Sequence, residues 1–300
     1  MSQLSHNTRT VPRLGGMFAR TGALLQMAPL GAIFLTLFAV PMLLLFWVSL
    51  WRYDVNGFGP TAPTVENYAR FLTDPFYLAA LGRTVLLGLV TTTVTVIVAY
   101  PVALIMARSG PRIRALLILL VLLPLLMSVV VRVFGWMVIL GDTGVLNKFL
   151  VGLGLVEQPL RLMESMTSVV IGLAQVEMAF AVMPIYSALL GIDRHLDEAA
   201  STLGARPMRR FLRIVLPLSL PGVAGAAAVI FSLSVAAFVQ PQLLGGSSFF
   251  VMTTLIYQQV TATLNWPFAA ALGLILLAVA LGMLALINAG FRLVMPRGLR

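Results

Sequence analysis

The chain has 300 residues, of which 60% are hydrophobic and only 10% charged, with a mean hydropathy of +1.00 and a formal net charge of +10. That balance excludes a soluble globular domain and places the chain among integral membrane proteins. Cysteine is absent, which excludes disulfides and thiolate metal sites, and the two histidines, His6 and His195, cannot build a metal site by themselves.

Six apolar stretches follow one another, at about 27–50, 81–107, 115–140, 167–190, 222–244 and 267–293. Each is long enough to cross a hydrocarbon core of about 30 Å, which takes roughly twenty helical residues. Lipid offers no partners to backbone N–H and C=O groups, and no alternating barrel pattern is present, so the stretches are predicted to be helices. The expected fold is an all-α membrane protein with one six-helix domain over 27–293, between tails at 1–26 and 294–300. The first stretch follows arginines, as a signal peptide would, but it is too long and lacks a small-residue cleavage pattern. It is expected to remain as an uncleaved span.

Charge orients these spans. Arg9, Arg13 and Arg20 precede the first; Arg108, Arg112 and Arg114 lie in the second connection; Arg194, Arg206, Arg209, Arg210 and Arg213 lie in the fourth; Arg292, Arg297 and Arg300 end the chain. The alternate connections hold Arg52, Arg70, Lys148 and Arg161 against Asp54, Glu66, Asp74, Asp142, Glu157 and Glu164. The positive-inside rule puts both termini and the 191–221 loop in the cytoplasm. The stretch 249–266 is apolar but short, and it holds Gln258, Gln259 and Asn265. A crossing there would export the basic tail, so it is expected as an external helix or re-entrant piece. The +10 charge is thus a topology signal. Its arginines are spread over four segments rather than gathered on one face, and no nucleic-acid partner is expected.

No Gly-x-x-x-x-Gly-Lys-Ser/Thr sequence occurs, and the single lysine, Lys148, falls in an external connection. The chain therefore has no P-loop to cradle a nucleotide. Neither a Ser/His/Asp set nor a His-Glu-x-x-His helix is evident, and no enzymatic activity is expected.

Inside the spans, Arg132 and Glu177 break the apolar pattern, each at a cost of about 2.5–3.5 kcal/mol unless paired or hydrated. Two uses fit: lining a solute path, with Trp136 beside Arg132, or a structural role as an ion pair or a snorkelling arginine. Pro41, Pro101, Pro124, Pro184 and Pro241 lie in or near spans, where each removes a backbone bond and permits a kink. Tyr257 and Trp266 are expected as interfacial anchors, with solute contact the alternative.

The fourth connection is the most informative. Helix formers from Glu198 to Leu203 are followed by Gly204, a basic helical run from Arg206 to Ile214, and Pro217 and Pro221, which are expected to close it before the fifth span. This predicts a hairpin of two short helices with a glycine corner, an element suited to docking in a partner's groove.

Its spacing adds a resemblance. Glu198-Ala199-Ala200, three residues, Gly204, nine residues, then Ile214, Leu216 and Pro217 resembles the coupling-loop signature of inner-membrane permeases of bacterial ABC importers. Val65-Glu66-Asn67-Tyr68, the segment from Pro124 to Trp136, Gly144-Val145-Leu146-Asn147, Met183-Pro184 and Asn265-Trp266-Pro267-Phe268 are similar to the spermidine/putrescine-type permeases. The resemblance covers the chain from about residue 27 onward. It implies a type I importer in the bacterial inner membrane. This chain would pair with a second permease, expected to be a paralogue, above two cytoplasmic ATPase subunits and below a periplasmic binding protein. It implies that this chain binds no cofactor, with ATP and Mg on the ATPase, and that the helix from Ala199 to Arg206 enters a cleft there. A polyamine is the expected solute, with opines, amino acids, aminophosphonates and ferric iron as alternatives. An ATP-independent secondary transporter or channel is the alternative class, although such proteins more often show internal repeats and several intramembrane charges.

Overall fold

A computed structural model describes residues 15–54 and 63–294, apart from the side chains of 15–28, 30, 32, 194 and 197–199. Residues 1–14 and 295–300 of the expected tails therefore lie outside the described residues, and the first helix begins inside the amino-terminal tail, at Gly15. The described regular structure is entirely helical. The long helices are α1 (Gly15–Ser49), α3 (Pro75–Arg108), α7 (Met166–Leu190), α10 (Leu216–Ala236) and α13 (Trp266–Val294). Between them run α2 (Glu66–Thr73), α4 (Pro111–Leu122), α5 (Val129–Leu140), α6 (Val145–Gly152), α8 (Arg194–Thr202), α9 (Pro207–Arg210), α11 (Val239–Leu244) and α12 (Met252–Thr261).

Five helical stretches among the described residues are long and apolar enough to span a membrane: 75–108, 129–152, 166–190, 207–236 and 266–294. In α1 the apolar stretch within the described residues is 33–49, and α1 lies along α13. The spans expected at 167–190 and 267–293 match α7 and α13 to within a residue at each end.

Two expected spans are corrected. The 115–140 stretch is not one helix: α4 ends in a 3₁₀ turn at Leu123–Leu126, Met127 is extended, and α5 starts at Val129. Pro124, which has no N–H to donate, sits in that break. The 222–244 stretch also breaks, because Ala237 is extended (φ −64°, ψ 134°) between α10 and α11. The carbonyl of Ala237, freed by the break, accepts the Thr253 hydroxyl at 2.7 Å, which satisfies a group that apolar surroundings could not. The 249–266 stretch holds only the ten-residue α12, shorter than a span, packed against α13 and α3.

The interior is the contact of α3, α7 and α10, made close by small residues. Ala99, Ala103, Ala181 and Ala226 are fully buried there. A Cβ at Gly88 would lie 2.8 Å from Val235, and one at Gly222 would lie 2.5 Å from Ala188 and 2.6 Å from the Pro184 carbonyl. Backbone approach of this kind is how membrane helices gain dispersion contacts when lipid removes the hydrophobic drive between them.

The end of the bundle opposite the fourth connection is stapled by polar side chains. Asn67 donates to the Ser49 and Trp51 carbonyls, both at 2.9 Å, and Tyr68 shares a 2.7 Å hydrogen bond with Ser49. Asn147 donates to the Gly141 and Leu160 carbonyls and accepts from the Leu160 N–H. Asn265 caps the start of α13 by accepting from the Phe268 N–H at 3.1 Å. Several of the residues that carry the sequence resemblance outside the fourth connection therefore hold loops in place.

Candidate functional site

The 191–221 connection folds as the expected hairpin. Asp193 accepts the His195 N–H at 2.9 Å at the start of α8. The helix ends when the Ala205 N–H reaches the Ala200 carbonyl at 3.0 Å and the Gly204 N–H reaches the Ser201 carbonyl at 2.9 Å. These are the paired bonds of a Schellman ending, which requires a left-handed residue after the helix. Gly204 supplies it, with φ +77° and open space where a Cβ would stand. The glycine is thus selected by backbone conformation, with no crowding involved.

The second arm departs from expectation. Pro217 and Pro221 do not close it; both lie inside α10, which continues α9 through a π turn at Phe211–Val215. In that turn the Leu216 N–H reaches back to the Phe211 carbonyl. The wider turn sits just before Pro217, the residue that has no N–H to keep the regular ladder going. The consequence is mechanical: residues 207–236 form one rod from the hairpin into the bundle. Phe211 packs edge-on against Tyr100 of α3 at 5.7 Å, and Tyr100 shares a 2.8 Å hydrogen bond with Ser219 of α10, so the rod is fastened to the core where it enters.

Of the predicted coupling residues, Ala200 and Gly204 define the end of α8 and the corner, and Ile214, Leu216 and Pro217 are half-buried along the rod. Glu198 and Ala199 lie on the α8 backbone, and their side chains are outside the described atoms. One feature of the hairpin was missed: its tip carries apolar side chains, Leu203 at 88% and Met208 at 65% exposure. Their signal was available as apolar residues at a corner predicted to be aqueous.

Arg132 and Glu177 are both buried but are not brought together as an ion pair. The Arg132 guanidinium donates to the Pro124 carbonyl, and so bridges the break between α4 and α5. Glu177, 3% exposed, accepts the Ser234 hydroxyl at 2.7 Å and thereby links α7 to α10. Trp136 is half-buried and donates its indole N–H to Gln175 of α7 at 3.0 Å. Ser234 and Gln175 were not foreseen, because one serine or glutamine in a span gives no periodic signal. Tyr257, expected as an interfacial anchor, has its ring 4.7 Å from that of Phe238.

A helical hairpin carried on a continuous rod that enters a close-packed bundle of long apolar helices defines a multi-helix membrane protein with one exposed helical element. Residues 99–293 match the family described as the binding-protein-dependent transport system inner membrane component. Relatives agree along most of the chain. The spermidine/putrescine transport system permease protein PotB of Salmonella typhimurium (strain SL1344) is 33% identical over 248 residues, 83% of this chain and 86% of the relative. PotB of Haemophilus influenzae is 32% identical over 235 residues, 78% and 82% of the two chains. Among solved structures, a bacterial alginate ABC transporter in complex with an alginate pentasaccharide-bound periplasmic protein aligns with a TM-score of 0.73. At 19% identity it covers 93% of this chain and 96% of its own, a likeness of fold. The chain belongs to the binding-protein-dependent inner membrane component family. It is a permease subunit of an ABC importer, a multi-pass protein of the inner membrane, and the secondary-transporter alternative is set aside.

Proposed function

We propose that this permease carries a polyamine of the spermidine/putrescine class. The observation that carries the reading is the 33% identity to a spermidine/putrescine permease across 83% of the chain. The same reading sets a second, paralogous permease beside this one, two ATPase subunits that bind ATP and Mg beneath it, and a periplasmic binding protein above. Six spans with both termini in the cytoplasm follow if α1 crosses the membrane and the arginine-rich connections face inward. The hairpin then lies at the ATPase. Glu198, Ala199, Ala200 and Gly204 form the docking arm and corner, and Ile214, Leu216 and Pro217 belong to the rod that transmits the push. Closure of the ATPase dimer moves α8, and the continuous 207–236 helix turns that displacement into a rotation at the α7 and α10 contact.

Arg132, Trp136 and Glu177 are the proposed path residues. Glu177 is enclosed while it holds Ser234, so it meets solute only in a state where α7 and α10 have parted. The test is reconstitution of the four-component importer in proteoliposomes with radiolabelled spermidine. ATP-dependent uptake that needs the binding protein is expected. Uptake that ignores ATP overturns the drive, and failure to carry spermidine or putrescine while another solute is carried overturns the solute.

A further inference from the structure

A cavity of about 320 Å³ opens between α11 and α12, within the size range of small-ligand sites. It lies at the end of the bundle opposite the hairpin, since Leu244 at the close of α11 accepts the Ser168 hydroxyl at the beginning of α7. Its walls include the aromatic residues Phe249, Phe250 and Tyr257 and the polar residues Gln242, Thr254 and Gln258. Among the described residues, none of those lining it is charged. A charge stands immediately beside it. Gly246 lines the cavity, and the Glu164 side chain packs against it so closely that a Cβ there would lie 2.7 Å from the glutamate Cβ and 3.1 Å from its carboxyl carbon.

The placement of Glu164 is enforced. Its backbone is left-handed, φ +56°, a conformation that is strained for a non-glycine residue and persists only where the surroundings impose it. Its N–H is fixed to the Leu244 carbonyl at 3.0 Å, and Gly246 opposite, also left-handed at φ +73°, has no Cβ to occupy the space the side chain takes. The carboxylate is exposed and forms no ion pair among the described residues. Tyr257 is half exposed, its ring positioned by Phe238. A free carboxylate, aromatic faces, and amide and hydroxyl oxygens together suit an alkylammonium ion: Coulomb attraction from the acid, cation–π attraction from the rings, and the amide oxygens of Gln242 and Gln258 to accept the ammonium N–H groups. An anionic or metal cargo would find neither a positive group nor a cluster of hard ligands there.

We propose that this cavity, with Glu164 at its rim, is a receiving site for one ammonium end of a linear amine, occupied as the solute enters the permease. The inference rests on the polyamine reading and locates it on particular residues. The test uses the complete permease and ATPase complex in nanodiscs, without binding protein, with radiolabelled spermidine binding read by scintillation proximity. Glu164→Gln and Tyr257→Ala are each expected to weaken binding about three- to five-fold, and the pair about ten-fold or more. Tyr257→Phe keeps the ring and stays within about two-fold of the unmodified complex. Binding is also expected to weaken as salt rises, and that dependence to shrink in Glu164→Gln. Should Tyr257→Ala fail to assemble, Glu164→Gln at an exposed position still decides the matter. Unchanged affinity in the Glu164→Gln complex, while the unmodified complex carries spermidine, overturns the site and leaves the polyamine reading standing. A complex that carries another solute and neither binds nor carries spermidine overturns the polyamine reading and the assigned ligand with it.

Discussion

The α3, α7 and α10 interior and the α8 and α9 hairpin both depend on glycine, for opposite reasons. In the interior, Gly222 is required because another helix occupies the space of its side chain, with Ala188 2.5 Å from where a Cβ would be. At the hairpin corner nothing lies within 4 Å of such a Cβ, and Gly204 is required for its φ of +77°. The bundle is specified by packing against neighbours, while the hairpin is specified by its own backbone and leaves its apolar tip, Leu203 and Met208, uncovered. A region specified by its own backbone can be displaced as a unit. Damage to the two regions should therefore separate into loss of fold and loss of coupling.

The largest effect is expected from Gly222→Leu. The added side chain has to displace both Ala188 and the backbone of Pro184, and overpacking of this sort costs about 1–3 kcal/mol or more. Thermal unfolding of the purified complex in detergent should show a clear fall or loss of assembly. An unchanged midpoint would mean that α7 and α10 are not held this closely. Glu177→Ala should follow. It leaves a cavity and strips the Ser234 hydroxyl of its partner, at about 2–4 kcal/mol. Glu177→Gln retains an oxygen for Ser234 and should remain within about 1 kcal/mol, which frees uptake to report on the path alone. Uptake and assembly both unchanged in Glu177→Gln would remove this residue from the path.

Hydropathy located α7 and α13 almost to the residue, because a span in lipid leaves a long, continuous signal. It missed the breaks at Leu123–Met127 and at Ala237, because hydropathy does not register whether a run of apolar residues keeps its hydrogen-bond ladder. Pro124 marked the first break and Pro217 and Pro221 wrongly announced another. Pro217 directly follows the π turn and Pro221 lies within α10, and no local pattern distinguishes either position from a break. The hairpin was legible because its corner is a local matter of Gly204 and the residues before it. The partners of Glu177, Trp136 and Arg132 were not, since Ser234, Gln175 and the Pro124 carbonyl reach them only through tertiary packing.

Gly204→Ala tests the hairpin side of the contrast. A left-handed alanine costs about 1–2 kcal/mol, and the strain falls on a corner where nothing among the described residues lies within 4 Å of the added Cβ. The thermal midpoint of the complex should move little, whereas ATP-driven uptake and ATPase retention on purification should drop several-fold. A fall in midpoint equal to that of Gly222→Leu would show that the hairpin is part of the packed core after all.

The smallest effect is expected one helical turn beyond Gly222. Gly225 is exposed on the same helix, has ordinary helical backbone and meets nothing within 4 Å of an added Cβ. Neither of the two reasons for glycine applies to it among the described residues. Gly225→Ala should therefore leave the isolated permease equally stable or raise it by about 0.5–1 kcal/mol through helix propensity. Thermal unfolding of the permease alone and of the full complex separates two cases. A loss confined to the complex would place a second subunit's helix against this face of α10, and would add a third reason for glycine to the two seen inside the chain. A loss in the permease alone would mean that the α10 face is not open, which would weaken the close-packing argument at Gly222 as well.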